Sequence, residues 1–197
     1  KKIDGEKIIL ILDSFSVKDF YGNGRKDFSN WKQNYIFYES ALKLAKENQN
    51  IKFIIKGKNY WFINIPYFRN IKNLISQTPN IELYKDENNS PYKLMENTIL
   101  TIARYTSLID ELLFKNRAVI IYETGGYPST FFNYGENLIV RNYEELKLKF
   151  DEWKEDSRKF NESIINESKK YFPVNKSNNK VYDSLHKYLE SEFEYYV

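Results

Sequence analysis

A pair of hydroxyl residues, Thr106 and Ser107, follows the apolar run TILTIA and opens an apolar segment with helical spacing. A strand-to-helix turn offers backbone N–H groups that no helical carbonyl accepts, and the hydroxyls add donors, so the turn suits a bound phosphate. Glu111 lies one helical turn beyond Ser107, where its carboxylate is placed to accept hydrogen bonds from a ribose diol. The alternative is that Ser107 only caps the helix, with Asp110 completing a capping box.

Two lysines flank a glycine in Lys56-Gly57-Lys58, at the end of the apolar run IKFIIK. Two ammonium groups beside a glycine, which lets backbone approach closely, suit a diphosphate. Lys56 is the stronger candidate because a strand-terminal side chain points into the crevice beyond the strand. The alternative is a solvated strand end in a lysine-rich chain.

Further polar residues follow two of the apolar runs. Arg104 and Tyr105 lie between TILTIA and the hydroxyl pair, and we include both among the ligand-binding candidates. Glu123 follows the run AVIIY and precedes two glycines, so it is placed to bind sugar hydroxyls while the glycines skirt the ligand. A plain loop is the alternative.

The composition argues against several other kinds of site. The chain has no Cys and one His, His186, which argues against thiolate or multi-His metal sites and a Cys nucleophile. Its net charge of +3 is too small to indicate nucleic-acid binding. Gly22-Asn23-Gly24 does not match a dinucleotide fingerprint, and no P-loop is present. No paired acidic motif stands out, so we expect neither a metal nor another cofactor.

Continuous apolar runs alternate along the chain with helical stripes, which are segments whose apolar residues recur at helical spacing. These predicted strands and helices position the candidate residues. The runs predict strands at 7–13, 51–56, 81–84, 98–103 and 118–122, with 138–140 as a sixth candidate. Helical stripes between them imply βαβ units and a parallel sheet. The sequence thus predicts an α/β fold, a Rossmann-like three-layer domain with a mostly parallel sheet of about five or six strands. Ligands of such sheets bind at the carboxyl ends of the strands, where all the candidates lie.

This order of elements resembles the C-terminal, nucleotide-sugar-binding domain of GT-B fold bacterial glycosyltransferases, chiefly those of surface polysaccharide and teichoic-acid-like synthesis. The segment LTIARYTSLIDELLFKNRAVIIYE is similar to the family's stretch in which a small-hydroxyl pair follows a strand and precedes a helix carrying Glu. The resemblance implies that Thr106 and Ser107 hold the donor diphosphate and that Glu111 faces the ribose. It also implies that Lys56 neutralises phosphate charge.

Two departures from the family pattern bear on the donor. Arg104 stands where relatives that transfer polyol phosphates often have an acidic residue, and no His follows the lysine strand. These departures argue against glycerol-phosphate transfer and favour an ordinary sugar nucleotide.

The resemblance implies transfer of a sugar from a nucleoside diphosphate sugar to a hydroxyl of a glycan or lipid-linked acceptor. Because no paired acidic motif stands out, we expect this transfer to need no metal. The turn at Ser107 and either Lys56 or Arg104 would stabilise the leaving group, and the general base would lie on an N-terminal GT-B domain outside this chain. An NDP-sugar epimerase of the same fold and a non-catalytic binding or scaffolding module are the alternatives.

The apolar pattern changes at Asn142, which with Glu145 suits a capping box. We expect residues 1–141 to form the nucleotide-sugar-binding domain and 142–197 to form C-terminal helices that pack on it, as a single domain overall. The chain starts with Lys1 and its one Met is Met95, so we expect a longer two-domain protein. With no secretory pattern and no apolar run of about 18 residues, we expect a cytoplasmic protein, compatible with peripheral contact at the inner membrane face.

Overall fold

The computed structural model describes residues 8–12, 31–57, 66–84, 91–104, 106, 108–124 and 136–171. Strands and helices alternate along them, and single-turn 3-10 helices at Pro66–Phe68 and Glu136–Leu138 precede α2 and β6. In chain order the elements are β1 (Ile8–Leu12), α1 (Trp31–Glu47), β2 (Lys52–Lys56), α2 (Arg69–Gln77), β3 (Ile81–Leu83), α3 (Pro91–Glu96), β4 (Leu100–Ala103), α4 (Leu108–Phe114), β5 (Val119–Tyr122), β6 (Ile139–Val140), α5 (Tyr143–Glu155) and α6 (Ser157–Tyr171).

The strands form one six-stranded parallel sheet in the order β3-β2-β1-β4-β5-β6. The chain builds outward from β1 to β3, returns to the other side of β1, and continues to β6. Ile9, Leu10 and Ile11 are fully buried, because helices cover a parallel sheet and its central strands must be apolar on both sides. The predicted Rossmann-like α/β fold is confirmed.

Helix α1 presents a wide apolar stripe to the core. Tyr38, Ala41, Leu42 and Ala45 are all buried, at the helical spacing that predicts this face. The helix ends at Glu47, and the next residue, Asn48, donates from Nδ2 to the Leu44 carbonyl at 2.8 Å. This side-chain bond satisfies one of the carbonyls that the last helical turn leaves open.

Asn80 joins the end of α1 to the start of β2. Its Nδ2 lies 2.9 Å from the Ala45 carbonyl, 3.1 Å from that of Asn48 and 2.9 Å from that of Ile51. An amide carries two hydrogens, so the three contacts share them.

We expect Asn80→Ala to lower the free energy of unfolding by about 1–3 kcal/mol, because the three carbonyls lose their side-chain donor. The carbonyls of Ala45 and Asn48 keep backbone donors, the N–H groups of Asn48 and Ile51. Urea denaturation measures the change. Asn73→Ala, on the exposed side of α2, serves as the control and should shift it by less than about 0.5 kcal/mol. Equal effects of the two substitutions would contradict the role given to Asn80.

Helix α5 begins at the predicted cap residue Asn142, but Glu145 accepts from the N–H of Arg141, one residue before the N–H that a capping box uses. The Glu145 N–H donates to Asn142 Oδ1 at 2.9 Å, while Glu145 Oε2 accepts from the Arg141 N–H at 2.7 Å. Phe150 of this helix stacks on Phe53 of β2, with 6.1 Å between ring centroids, so α5 packs directly on the sheet. The domain limit at 141/142 stays a prediction, and residues 172–197 of the C-terminal segment lie outside the described residues.

Candidate functional site

The strand order reverses between β1 and β4, and this reversal marks the place where open parallel sheets bind ligands. The register aligns Leu12, at the end of β1, with Lys56 of β2 on one side and Ala103 of β4 on the other. Neighbouring strands lie about 4.8 Å apart, so the ends of β2 and β4 flank a crevice about 10 Å across. The polar residues that follow these strands form the candidate site.

Lys56 closes β2 at this edge, as the sequence predicts. Its side chain is 8% exposed, and among the described residues no hydrogen bond or ion pair engages its ammonium group. Because no described group neutralises this ammonium, its charge is available to an anion in the crevice. Lys58 lies outside the described residues.

Arg104 follows β4 and is 1% exposed. Its Nη2 donates to Gln33 Oε1 at 3.1 Å and its Nη1 donates to Asn34 Oδ1, both in the first turn of α1. Thr124, after β5, donates from Oγ1 to the Gln33 carbonyl at 3.1 Å. Side chains from two strand ends therefore hold the start of α1 over the carboxyl edge of the sheet. A contact between Arg104 and a sugar-nucleotide donor stays a prediction.

Sequence reasoning missed the buried amides Gln33 and Asn34. Asn34 lies four residues before Tyr38 and eight before Leu42, so extending the apolar stripe of α1 back by one turn places it on the buried face. A polar residue on such a stripe signals a buried hydrogen-bond network. A second bond of this kind joins Ser40 Oγ to Tyr122 Oη at 2.9 Å, and burial raises the pKa of that tyrosine.

Thr106 caps α4. The Leu108 N–H donates to Thr106 Oγ1 at 3.3 Å, and the Ile109 N–H donates to the Thr106 carbonyl at 3.1 Å. The hydroxyl oxygen is therefore used as an acceptor, and the hydroxyl hydrogen is the group that a phosphate would accept from. Tyr105 and Ser107, the other two members of the predicted turn, lie outside the described residues.

Acidic side chains border the same edge of the sheet. Glu111 lies half-buried in the first turn of α4 beside Asp110, whose pKa is raised by burial and by the charge of Glu111. Glu123 follows β5 and is 1% exposed, and its N–H donates to the Val140 carbonyl at 2.8 Å. The structure thus holds Glu111 closer to solvent than Glu123, and their contacts with ribose and sugar stay predictions.

The described residues contain neither a cluster of metal ligands nor a membrane-spanning helix. No group of three or more His, Asp or Glu side chains among them is arranged to hold a metal ion. None of the described helices is both long and apolar enough to cross a bilayer. Metal independence stays a prediction.

No family model and no curated protein matches this sequence. The fold, by contrast, is similar to that of solved structures. The C-terminal domain of a group 1 glycosyl transferase, LpcC, from Francisella tularensis superposes on this chain with a TM-score of 0.57. The two share 14% sequence identity, and the alignment covers 87% of each chain. This chain has the fold of a GT-B C-terminal domain.

Two other structures with the GT-B C-terminal fold are similar over most of this chain. UDP-GlcNAc 2-epimerase from Neisseria meningitidis, bound to UDP-GlcNAc, gives a TM-score of 0.56 at 17% identity over 87% of this chain and 45% of its own. The wall teichoic acid polymerase TagF gives 0.52 at 15% identity over 97% of this chain and 45% of its own. This chain therefore spans less than half the length of either protein.

Proposed function

We propose that this chain is the donor-binding half of a glycosyltransferase that moves a sugar from a nucleoside diphosphate sugar to a hydroxyl acceptor in surface polysaccharide synthesis. The fold it shares with glycosyltransferases supports this proposal. The observation that carries it is Lys56, a largely buried lysine with no described partner beside the point where strand order reverses. A donor diphosphate supplies the missing negative charge.

In the proposed complex the diphosphate lies between Lys56 and the Thr106-Ser107 turn. Helix α4 is seven residues long, so its dipole is small and direct donors provide most of the stabilisation. Lys56 offers a charge, and the hydroxyls of Thr106 and Ser107 offer hydrogen bonds. Glu111 accepts from the ribose hydroxyls, and Glu123 and Lys58 border the sugar and the outer phosphate.

The reaction breaks the bond between the anomeric carbon of the sugar and the diphosphate oxygen, and forms a bond from that carbon to the acceptor oxygen. Negative charge grows on the departing diphosphate, where Lys56 is placed to stabilise it. The acceptor proton passes to a base on an N-terminal GT-B domain outside this chain. We place the reaction in the cytoplasm, at the inner membrane face where the acceptor is lipid-linked.

Calorimetry with UDP, GDP and CMP tests donor binding. We expect one of these nucleotides to bind the wild-type chain, and Ser107→Ala to weaken that binding about 3- to 10-fold, since one hydrogen bond to a charged phosphate is lost. The chain alone should show no transfer, because the base lies elsewhere. Failure of all three nucleotides to bind would contradict the proposal and favour a non-catalytic module.

An NDP-sugar epimerase is the second candidate. The structural similarity to the Neisseria epimerase favours it, because the TM-scores of that epimerase and of LpcC differ by only 0.01. An epimerase converts its nucleotide sugar without an acceptor, whereas a transferase requires one. Incubating a longer protein that contains this chain with UDP-GlcNAc alone separates the two. Conversion to a second UDP-sugar would support epimerisation, and consumption of the sugar nucleotide only after a hydroxyl acceptor is added would support transfer.

A further inference from the structure

Arg104 and Lys56 lie on opposite faces of the sheet. Residues that align in neighbouring parallel strands point to the same face, and successive residues of one strand alternate between the two faces. Lys56 aligns with Leu12, and Leu12 aligns with Ala103, so Lys56 and Ala103 share a face. Arg104 follows Ala103 and points to the other face, where its guanidinium contacts the first turn of α1.

The candidate donor crevice therefore has two walls, one on each face of the sheet. Right-handed crossovers place α1, between β1 and β2, and α4, between β4 and β5, on opposite faces, because the two connections run in opposite directions along the sheet. Lys56 points to the side of α4 and its Thr106 cap, and the first turn of α1 forms the other wall. A ligand over the carboxyl ends of β1 and β4 lies between them.

The first turn of α1 is held by side chains from two strand ends. The guanidinium of Arg104 donates to the side-chain oxygens of Gln33 and Asn34, and Thr124 Oγ1 donates to the Gln33 carbonyl at 3.1 Å. Arg104 and Asn34 are each 1% exposed. Burying a guanidinium is costly unless well-placed hydrogen bonds compensate, so this contact fixes the turn in one position.

We propose that Arg104 is a positioning residue for the donor: it fixes the first turn of α1 as the wall of the crevice opposite Lys56, and acts on the donor through that wall without touching it. This role rests on the donor-binding function proposed above. Without these bonds the start of α1 takes several positions, and only molecules with the wall in place bind tightly. The observed affinity falls by the fraction of such molecules.

Calorimetry with UDP and GDP, on variants shown to be folded by circular dichroism, tests this role. We expect Arg104→Met to weaken diphosphate binding about 5- to 20-fold, because fewer molecules hold the wall in place. If that variant does not fold, Thr124→Val removes one bond to the same turn, and we expect it to weaken binding about threefold.

Tyr122→Phe is the matched control. It breaks the buried bond of 2.9 Å to Ser40, which joins α1 to the sheet six residues beyond Asn34, about 9 Å further along the helix. It should lower the urea midpoint of unfolding, because a buried hydrogen bond is lost. It should leave the diphosphate affinity unchanged, because Arg104 and Thr124 still hold the first turn.

Salt distinguishes positioning from direct contact. Losing an ion pair with a phosphate reduces the salt dependence of binding, because one screened attraction is gone. We expect Arg104→Met to keep the salt dependence of the wild type and Lys56→Gln to lose part of it.

Three results would overturn this role of Arg104 and leave donor binding intact. They are wild-type affinity in the folded Arg104→Met and Thr124→Val proteins, an equal loss of affinity in Tyr122→Phe, and a reduced salt dependence in Arg104→Met. Failure of the wild type to bind either nucleotide would instead overturn the proposed function, and this role with it.

Discussion

Arg104→Met is expected to lower the free energy of unfolding by about 2–5 kcal/mol, because it removes a charged donor from Gln33 and Asn34 and leaves both amide oxygens buried without it. Methionine keeps the length and much of the volume of the side chain, so lost hydrogen bonding rather than a cavity causes the change. Urea denaturation followed by far-UV circular dichroism measures the loss.

A matched control and a rescue sharpen this test of Arg104. Arg69→Met replaces an exposed arginine of α2 and should change the free energy of unfolding by less than about 0.5 kcal/mol. Adding Asn34→Leu to Arg104→Met should recover part of the loss, since an apolar side chain leaves no acceptor to satisfy. An Arg104→Met protein as stable as wild type would show that the buried network contributes no stability.

Phe150→Ala is expected to lower the free energy of unfolding by about 3–5 kcal/mol. Phe150 is fully buried, stacks on Phe53 of β2, and lies 5.4 Å from the Trp153 ring between centroids. Removing it opens a cavity between α5 and the sheet. Thermal unfolding measures the loss, and each kcal/mol corresponds to about 2–4 °C in a chain of this size.

Leu148→Ala is the control for Phe150, because it truncates a side chain of the same helix that is 62% exposed. It should change stability by less than about 0.5 kcal/mol. We also expect Phe150→Ala to unfold in a single transition, since α5 packs on the sheet. Two separate transitions would contradict that packing and would assign α5 to an independent unit.

The strands were predictable because each is an apolar run, and a parallel sheet buries both faces of its strands. The fourth run shows where this reasoning fails. TILTIA predicts a strand from Thr98, but β4 begins at Leu100. Ile99 is 38% exposed, and Thr98 Oγ1 donates to the Met95 carbonyl, so the two residues finish the turn after α3. Apolar character alone does not reveal that local bond.

The location of the candidate site was predictable and its internal contacts were not. Lys56 and Thr106 lie at strand ends, which sequence periodicity marks, and ligand sites of parallel sheets lie there. The partners of Arg104 stand 70 and 71 residues earlier in the chain. No local spacing links residues so far apart; the link appears only once β4 and α1 pack together.

Calorimetric titration can show whether Lys56 binds a donor diphosphate. The wild type, Lys56→Gln and the exposed control Lys46→Gln are each titrated with UDP, GDP, uridine and guanosine. We expect a nucleoside diphosphate to bind the wild type and Lys46→Gln alike and to bind Lys56→Gln about tenfold more weakly, a loss of about 1.4 kcal/mol. The nucleosides, which lack phosphate, should show no difference among the three proteins. Equal diphosphate affinities for all three proteins, or no diphosphate binding at all, would show that Lys56 does not bind a donor diphosphate.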